Sequence, residues 1–195
     1  MTGREHSLAV PREGKPGRIS SRRAYTGKVI SLDVDTVRFP DGSVGELEMI
    51  RHPGASAVVP FLSDPRGGDP QVLMIRQYRY AAEGYLLEIP AGRLNPGEDP
   101  RVCAVRELKE ETGCSAEQVE HLFTMYTTPG FTDEKIHLFM ATGLVSGETK
   151  HEADEFLDLE PMLLSRALEL VEAGEIKDAK TALGLLYAAG FRAGH

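Results

Sequence analysis

Between Gly92 and Cys114 the chain reads GRLNPGEDPRVCAVRELKEETGC, and few surroundings suit so acidic a segment. Asp99 is a good N-cap, Pro100 fits the first helical position and Gly113 fits the position just past the end, so the spacing predicts a helix over residues 100–112. Val102, Val105 and Leu108 supply the apolar stripe expected to face a core. Glu107 and Glu111 stand four apart, with Glu110 between them on nearly the same side. Like charges at that spacing cost a few tenths of a kcal/mol per exposed pair. Glu98, one turn earlier, adds a further carboxylate. A cation relieves the repulsion, and an all-oxygen set suits a hard divalent ion such as Mg²⁺ or Mn²⁺. A Glu-rich helix by itself is better explained as a solvated face.

The spacing goes further than the charge. Gly92, Glu98 and the run Arg106-Glu107-Leu108-x-Glu110-Glu111-x-Gly113 resemble the Nudix box at every polar and glycine position. Cys114 stands where that family has a larger aliphatic residue. The resemblance implies a divalent-metal-dependent hydrolase of a phosphoanhydride.

Composition bounds the rest. A chain of 195 residues suits one domain with a small extension, and 41% apolar content supports a core. A net charge of −8 argues against general nucleic-acid binding, which shows a basic footprint. The only cysteines, Cys103 and Cys114, are expected to be reduced, partly buried thiols of a cytoplasmic protein. No apolar run is long enough to span a membrane, and no secretory signal is seen at the N-terminus.

In chain order, residues 1–23 read as a flexible tail with a basic cluster at Arg18, Arg22 and Arg23. Residues 24–52 read as a small antiparallel β meander, with alternation from Asp33 to Phe39 and a turn at Pro40-Asp41-Gly42-Ser43. A sheet that small needs a partner surface. Residues 53–195 form the main domain. Strands are expected at 55–62, 71–79, 84–92, 119–127, 135–142 and 156–159, with helices at 100–112, 163–173 and from Asp178 to about 189. One helix inserted among strands, then two closing helices, predicts an α/β fold: an α/β/α sandwich around a mixed sheet.

The resemblance narrows to the ADP-ribose pyrophosphatase branch through three further segments: Arg76-Gln-Tyr-Arg-Tyr80, Thr128-Pro-Gly-Phe-Thr-Asp-Glu134, and Glu152-Ala-Asp-Glu-Phe156 with Asp178-Ala-Lys-Thr-Ala182. It implies metal ligands at the Ala91 carbonyl, Glu107, Glu111 and Glu110, for one to three Mg²⁺ or Mn²⁺ ions. Arg106 and Glu98 would support them from behind. Glu152 would accept the proton of the attacking water or complete the metal shell, with Glu155 and Asp154 as alternatives. Arg79 would contact the pyrophosphate, Glu134 the terminal ribose and Glu88 the adenine end, and Gly130 of the Pro129-Gly130 pair that marks the branch would also be substrate-binding. The branch forms homodimers through the meander, so that Phe39, Arg51 or a nearby aromatic would reach the base from across the interface. None of the six histidines shows ligand spacing. The function so implied is hydrolysis of ADP-ribose to AMP and ribose 5-phosphate. The alternatives are other nucleoside diphosphate sugars such as GDP-mannose, broad specificity, or a non-catalytic ADP-ribose-binding module.

Overall fold

The computed structural model describes residues 14–147 and 157–192. The chain divides into two compact units, one made of residues up to His52 plus Thr127–Glu134, the other of Pro53–Tyr126 and Lys135 onward.

The first unit is built on three antiparallel strands in the order β1 (Gly17–Thr26), β2 (Ser31–Arg38) and β3 (Val44–Arg51). The turn between β2 and β3 places Gly42 at φ 83°, and Asp41 Oδ1 accepts from the Ser43 amide at 2.9 Å. β1 corrects the expected tail, because residues 17–23 are strand although every side chain of β1 is exposed. Sequence periodicity registers burial, and this strand buries nothing. Backbone pairing to β2 and an ion pair from Arg23 to Asp33 hold it.

The second unit holds two sheets. β7 (Ala91–Arg93), β4 (Ala55–Pro60), β9 (Lys135–Val145) and β8 (Ser115–Tyr126) lie in that order, with β4 and β9 parallel and the other pairs antiparallel. β10 (Leu157–Leu163), β5 (Gln71–Arg79) and β6 (Gly84–Glu88) form an antiparallel sheet. The strand expected over 84–92 is therefore two strands in different sheets, parted at Ile89-Pro90. Proline cannot donate to a ladder, while its carbonyl accepts from the Val58 amide at 2.9 Å.

β4 is buried throughout and serves both faces. Val58 packs with Ala104 and Leu108 of α1 (Pro100–Thr112) and with Phe139. Val59 packs on the other side with Leu138 and with Leu185 and Ala188 of α3 (Ala179–Phe191), beside α2 (Leu164–Glu172). Gly184 lets α3 lie close, since a Cβ there would meet Ile89 and Val59 at 3.2 Å. Helices on both faces of a mixed sheet make the α/β/α sandwich and leave β7 running straight into the approach to α1.

Candidate active site

The ends of α1 follow ordinary chemistry. Asp99 accepts from the amides of Arg101 (2.8 Å) and Val102 (3.3 Å), Pro100 opens the helix, and Gly113 closes it at φ 72°. A cap of this kind stabilises a helix by about 1 kcal/mol.

Its faces differ from expectation. Val102 and Val105 are exposed, so they do not form the core stripe; only Leu108 does. The buried positions are Cys103, Ala104, Glu107, Leu108, Glu111 and Thr112. Glu107 and Glu111 thus share the inward face, 7% and 2% exposed. The reason is what lies opposite. β7 brings bare backbone against this face, and backbone offers hydrogen bonds to carboxylates where side chains would offer only bulk.

The contacts bear this out. The Ala91 amide donates to Glu111 Oε2 at 2.9 Å. At Gly92 a Cβ would stand 1.9 Å from Glu107 Oε1, so only glycine leaves space for that carboxylate. Arg106 gathers the other acids. It binds Glu98 with two parallel contacts of 2.9 and 3.0 Å, Glu107 at 2.6 Å and Glu110 at 2.9 Å, and also donates to the Arg93 carbonyl at 3.0 Å. The Arg106 guanidinium, aided by the Asn95 amide, holds the Glu98 carboxyl far below its usual range, at about 2. Burial pushes the neighbouring Cys103 thiol up to about 11, so it stays protonated and inert at neutral pH.

One guanidinium therefore serves Glu98, Glu107 and Glu110, and Glu111 adds a fourth carboxylate beside Glu107 on the inward face of α1. The donor set is all oxygen, and the Gly92 cradle keeps space at Glu107 that any side chain would fill. These residues fit a hard divalent cation. Among the described residues no three His, Cys, Asp or Glu side chains already converge as a ready-made cation cage. For Ala91 it is the amide whose contact is seen.

A second cluster lies in the same unit. Glu88, at the end of β6, is 1% exposed. Arg79 Nε and Nη2 bind it at 2.7 and 2.8 Å, and Lys180 Nζ binds it at 2.5 Å. Burial works against its ionisation, but Arg79 and Lys180 outweigh that and hold its carboxyl below the usual range. Lys180 also meets Asp178 at 3.0 Å. Asp178 caps α3 through the Thr181 amide (2.9 Å), and Thr181 Oγ1 accepts from the Ile89 amide at 2.9 Å. Glu111 is among the charges that hold Arg79 protonated, which sets the two clusters within electrostatic reach. Lys180 was not among the sequence-derived candidates. Its signal was the Asp178-Ala-Lys-Thr-Ala182 segment, read there only as a family mark.

Arg51, Gly130 and Glu134 belong to the first unit. Arg51 spends its guanidinium on Asp33 (3.1 Å), Asp35 and Asp133 (3.1 Å). Glu134 meets His52 Nδ1 at 3.3 Å and accepts from Thr127 Oγ1 at 2.9 Å. A Cβ at Gly130 would meet nothing within 4 Å, so the fold does not itself demand glycine there. Glu152, Asp154 and Glu155 lie outside the described residues.

Comparison with known proteins gives a consistent result. A family profile described as NUDIX domain matches residues 52–182. A Bacillus methanolicus protein named methanol dehydrogenase activator is 42% identical over 171 residues, covering 87% of this chain and 90% of that one. A Bacillus subtilis ADP-ribose pyrophosphatase is 40% identical over the same length and coverage. A solved structure described as an ADP compounds hydrolase superposes with a TM-score of 0.77 at 21% identity, over 93% of this chain and 96% of that one, which speaks to the fold. No described helix is long and apolar enough to cross a membrane.

Proposed function

The chain belongs to the Nudix family, and on that premise we propose that it hydrolyses the pyrophosphate bond of ADP-ribose, releasing AMP and ribose 5-phosphate. The observation that carries the chemistry is the inward face of α1, where Glu107 and Glu111 are buried against the bare backbone of Ala91 and Gly92. The substrate rests on likeness to the ADP-ribose pyrophosphatase.

Glu107, Glu111, Glu110 and the Ala91 carbonyl are the residues to hold one to three Mg²⁺ or Mn²⁺ ions. Bound there, such ions screen the phosphate oxygens and lower the pKa of a water. The protein's own share is positioning. Arg106 holds Glu98, Glu107 and Glu110 in fixed orientation, as outer partners of metal ligands do. Arg79 presents to the pyrophosphate the edge that Glu88 does not occupy, and Lys180 offsets the Glu88 charge that would otherwise cancel it. This moves Glu88 from the adenine end to a supporting place behind Arg79. Lys180→Met is expected to raise KM about tenfold with a smaller change in kcat; an unchanged KM removes Lys180 from this scheme. Glu152 takes the water proton, with Glu155 as the alternative, so Glu152→Gln should lose far more turnover than Glu155→Gln. Equal losses would refute that order.

Glu134 and Gly130 are assigned to the terminal ribose and Arg51 to the base side. Pairing of two copies through residues 24–52 accounts for the apolar side chains the meander leaves exposed, among them Tyr25, Val29, Val44 and Leu47. Light scattering on a chromatographed sample would return twice the chain mass, and a monomer would exclude the pairing. Two free thiols suit a cytoplasmic protein, a placement that fractionation of the cell tests directly.

The substrate is tested by comparing ADP-ribose, GDP-mannose, UDP-glucose, NADH and diadenosine polyphosphates with Mg²⁺. ADP-ribose should lead. A tenfold preference for another compound would replace it, and binding without turnover on the whole panel would make the protein a binding module.

A further inference from the structure

The segment Thr127–Glu134 connects β8 to β9 along the chain, yet its contacts lie with the end of β3. The Ile50 amide donates to the Phe131 carbonyl at 2.8 Å, and the Asp133 amide donates back to Ile50 at 3.2 Å. Asp133 then closes on the next two residues. Its Oδ2 accepts from Arg51 Nη1 at 3.1 Å, and its Oδ1 accepts from the His52 amide at 3.0 Å. The adjacent Glu134 is held by His52 Nδ1 at 3.3 Å on one oxygen and by Thr127 Oγ1 at 2.9 Å on the other. Arg51 is itself immobilised, because Asp33 and Asp35 hold its remaining edges. The bridging contacts named here join the segment to the meander through consecutive residues 50, 51 and 52.

A flexible acid on a connecting segment loses rotamer freedom each time it grips a ligand. Here that freedom is already removed in the free protein. We propose that Asp133 is a positioning residue for substrate selection: it clasps the segment to Arg51 and His52 so that the Glu134 carboxylate meets the terminal sugar in one orientation. The meander is thereby part of the recognition device and not only a surface for pairing. The proposal rests on Glu134 as the ribose contact.

A double-variant cycle on ADP-ribose hydrolysis tests it, using Asp133→Ala, Glu134→Gln and the two combined. Each single change is expected to raise KM about tenfold with kcat within about threefold. The combination should be no worse than Glu134→Gln alone, within about twofold, because the clasp acts through Glu134. Asp133→Asn keeps an acceptor for the His52 amide but drops the charge facing Arg51. It should fall between wild type and Asp133→Ala, and it carries the same cycle if the alanine variant unfolds. Losses that multiply in the combined variant, or a neutral Asp133→Ala, overturn the clasp alone. A neutral Glu134→Gln overturns the ribose assignment and the clasp with it.

Discussion

Two arginines in this protein do the same electrostatic sum to opposite ends. Arg106 faces Glu98, Glu107 and Glu110; Arg51 faces Asp33, Asp35 and Asp133. In each case one guanidinium meets three carboxylates. Around Arg51 a second cation, Arg23, joins Asp33, and the remaining surplus sits on Asp133, whose side chain is 41% exposed and wetted. Within that hub Asp35 Oδ1 alone is buried without a hydrogen-bond partner. Around Arg106 the surplus grows, because Glu111 adds a carboxylate that is 2% exposed. Burying a carboxylate is costly, and the Ala91 amide and the nearby charge of Arg79 work against that cost. One network is closed, with its surplus held at the surface; the other is open, with its surplus buried where the cation proposed above would offset it.

The difference is broken most sharply at Glu111. Glu111→Gln keeps the volume and an acceptor for the Ala91 amide but removes the charge. Turnover should fall by about a hundredfold or more, beyond the loss usual for an outer partner of a metal ligand. The circular dichroism spectrum should be unchanged. Turnover that survives would return the inward face of α1 to a structural role. Gly92→Ala should match that loss by a separate route, since its methyl displaces the Glu107 carboxylate.

The same comparison predicts a thermal effect that needs no substrate. A ligand at a hundred times its Kd stabilises the folded state by about 2.7 kcal/mol. For a chain of this size that raises Tm by roughly 5–10 °C. Saturating Mg²⁺ or Mn²⁺ should do this for wild type and for Arg51→Lys, and not for Glu107→Gln. An equal rise in all three would show that the ion binds elsewhere.

Next in size is the exchange of each arginine for lysine. Lysine cannot reproduce a fork that spans several carboxylates. Arg106→Lys should lower kcat about tenfold, because the acids it orients include the proposed metal ligands Glu107 and Glu110. Arg51→Lys should leave kcat within about twofold and act on KM and on stability. If both variants lost kcat alike, the contrast between an open and a closed network would not hold.

Most of the fold could be read from the sequence because most of its elements bury something. Alternation found β2, the turn signal at Pro40-Asp41-Gly42-Ser43 found β3 as its partner, and Asp99, Pro100 and Gly113 bounded α1 to the residue. β1 was missed for the converse reason: its Ser and Arg side chains face water, so its pairing leaves no hydrophobic signature. The faces of α1 were misjudged because a carboxylate normally marks the outside of a helix. Glu107 and Glu111 point inward only because Ala91 and Gly92 offer backbone there, a fact of tertiary placement. Arg51 and Lys180 show the same limit. Each is bound by residues far away in sequence, 82 positions for the Arg51 contact with Asp133 and 92 for that of Lys180 with Glu88, and no local pattern reports such a pair.

The smallest expected effect separates the two networks by acid. In the closed network, the hydrogen bond from Arg23 leads in holding Asp33 below its usual value of 3.8, and that from Ser21 leads for Asp35, with Arg51 assisting both. A carboxyl whose folded pKa is depressed stabilises the fold fully above its unfolded pKa. That contribution is lost as pH falls through the folded value. Wild type should therefore lose stability steadily below about pH 4, more steeply than a variant carrying Asp33→Asn and Asp35→Asn, which has no such charges to protonate. The variant starts lower at pH 7 and the two curves converge toward pH 2. Glu98, held at about 2 on the other network, is present in both proteins and cancels in the comparison. Urea unfolding midpoints at intervals between pH 7 and pH 2 measure the slope. Parallel curves would mean that Arg51 and Arg23 hold these aspartates no more tightly than water does, and the closed network would then be a surface arrangement without a hold on the fold.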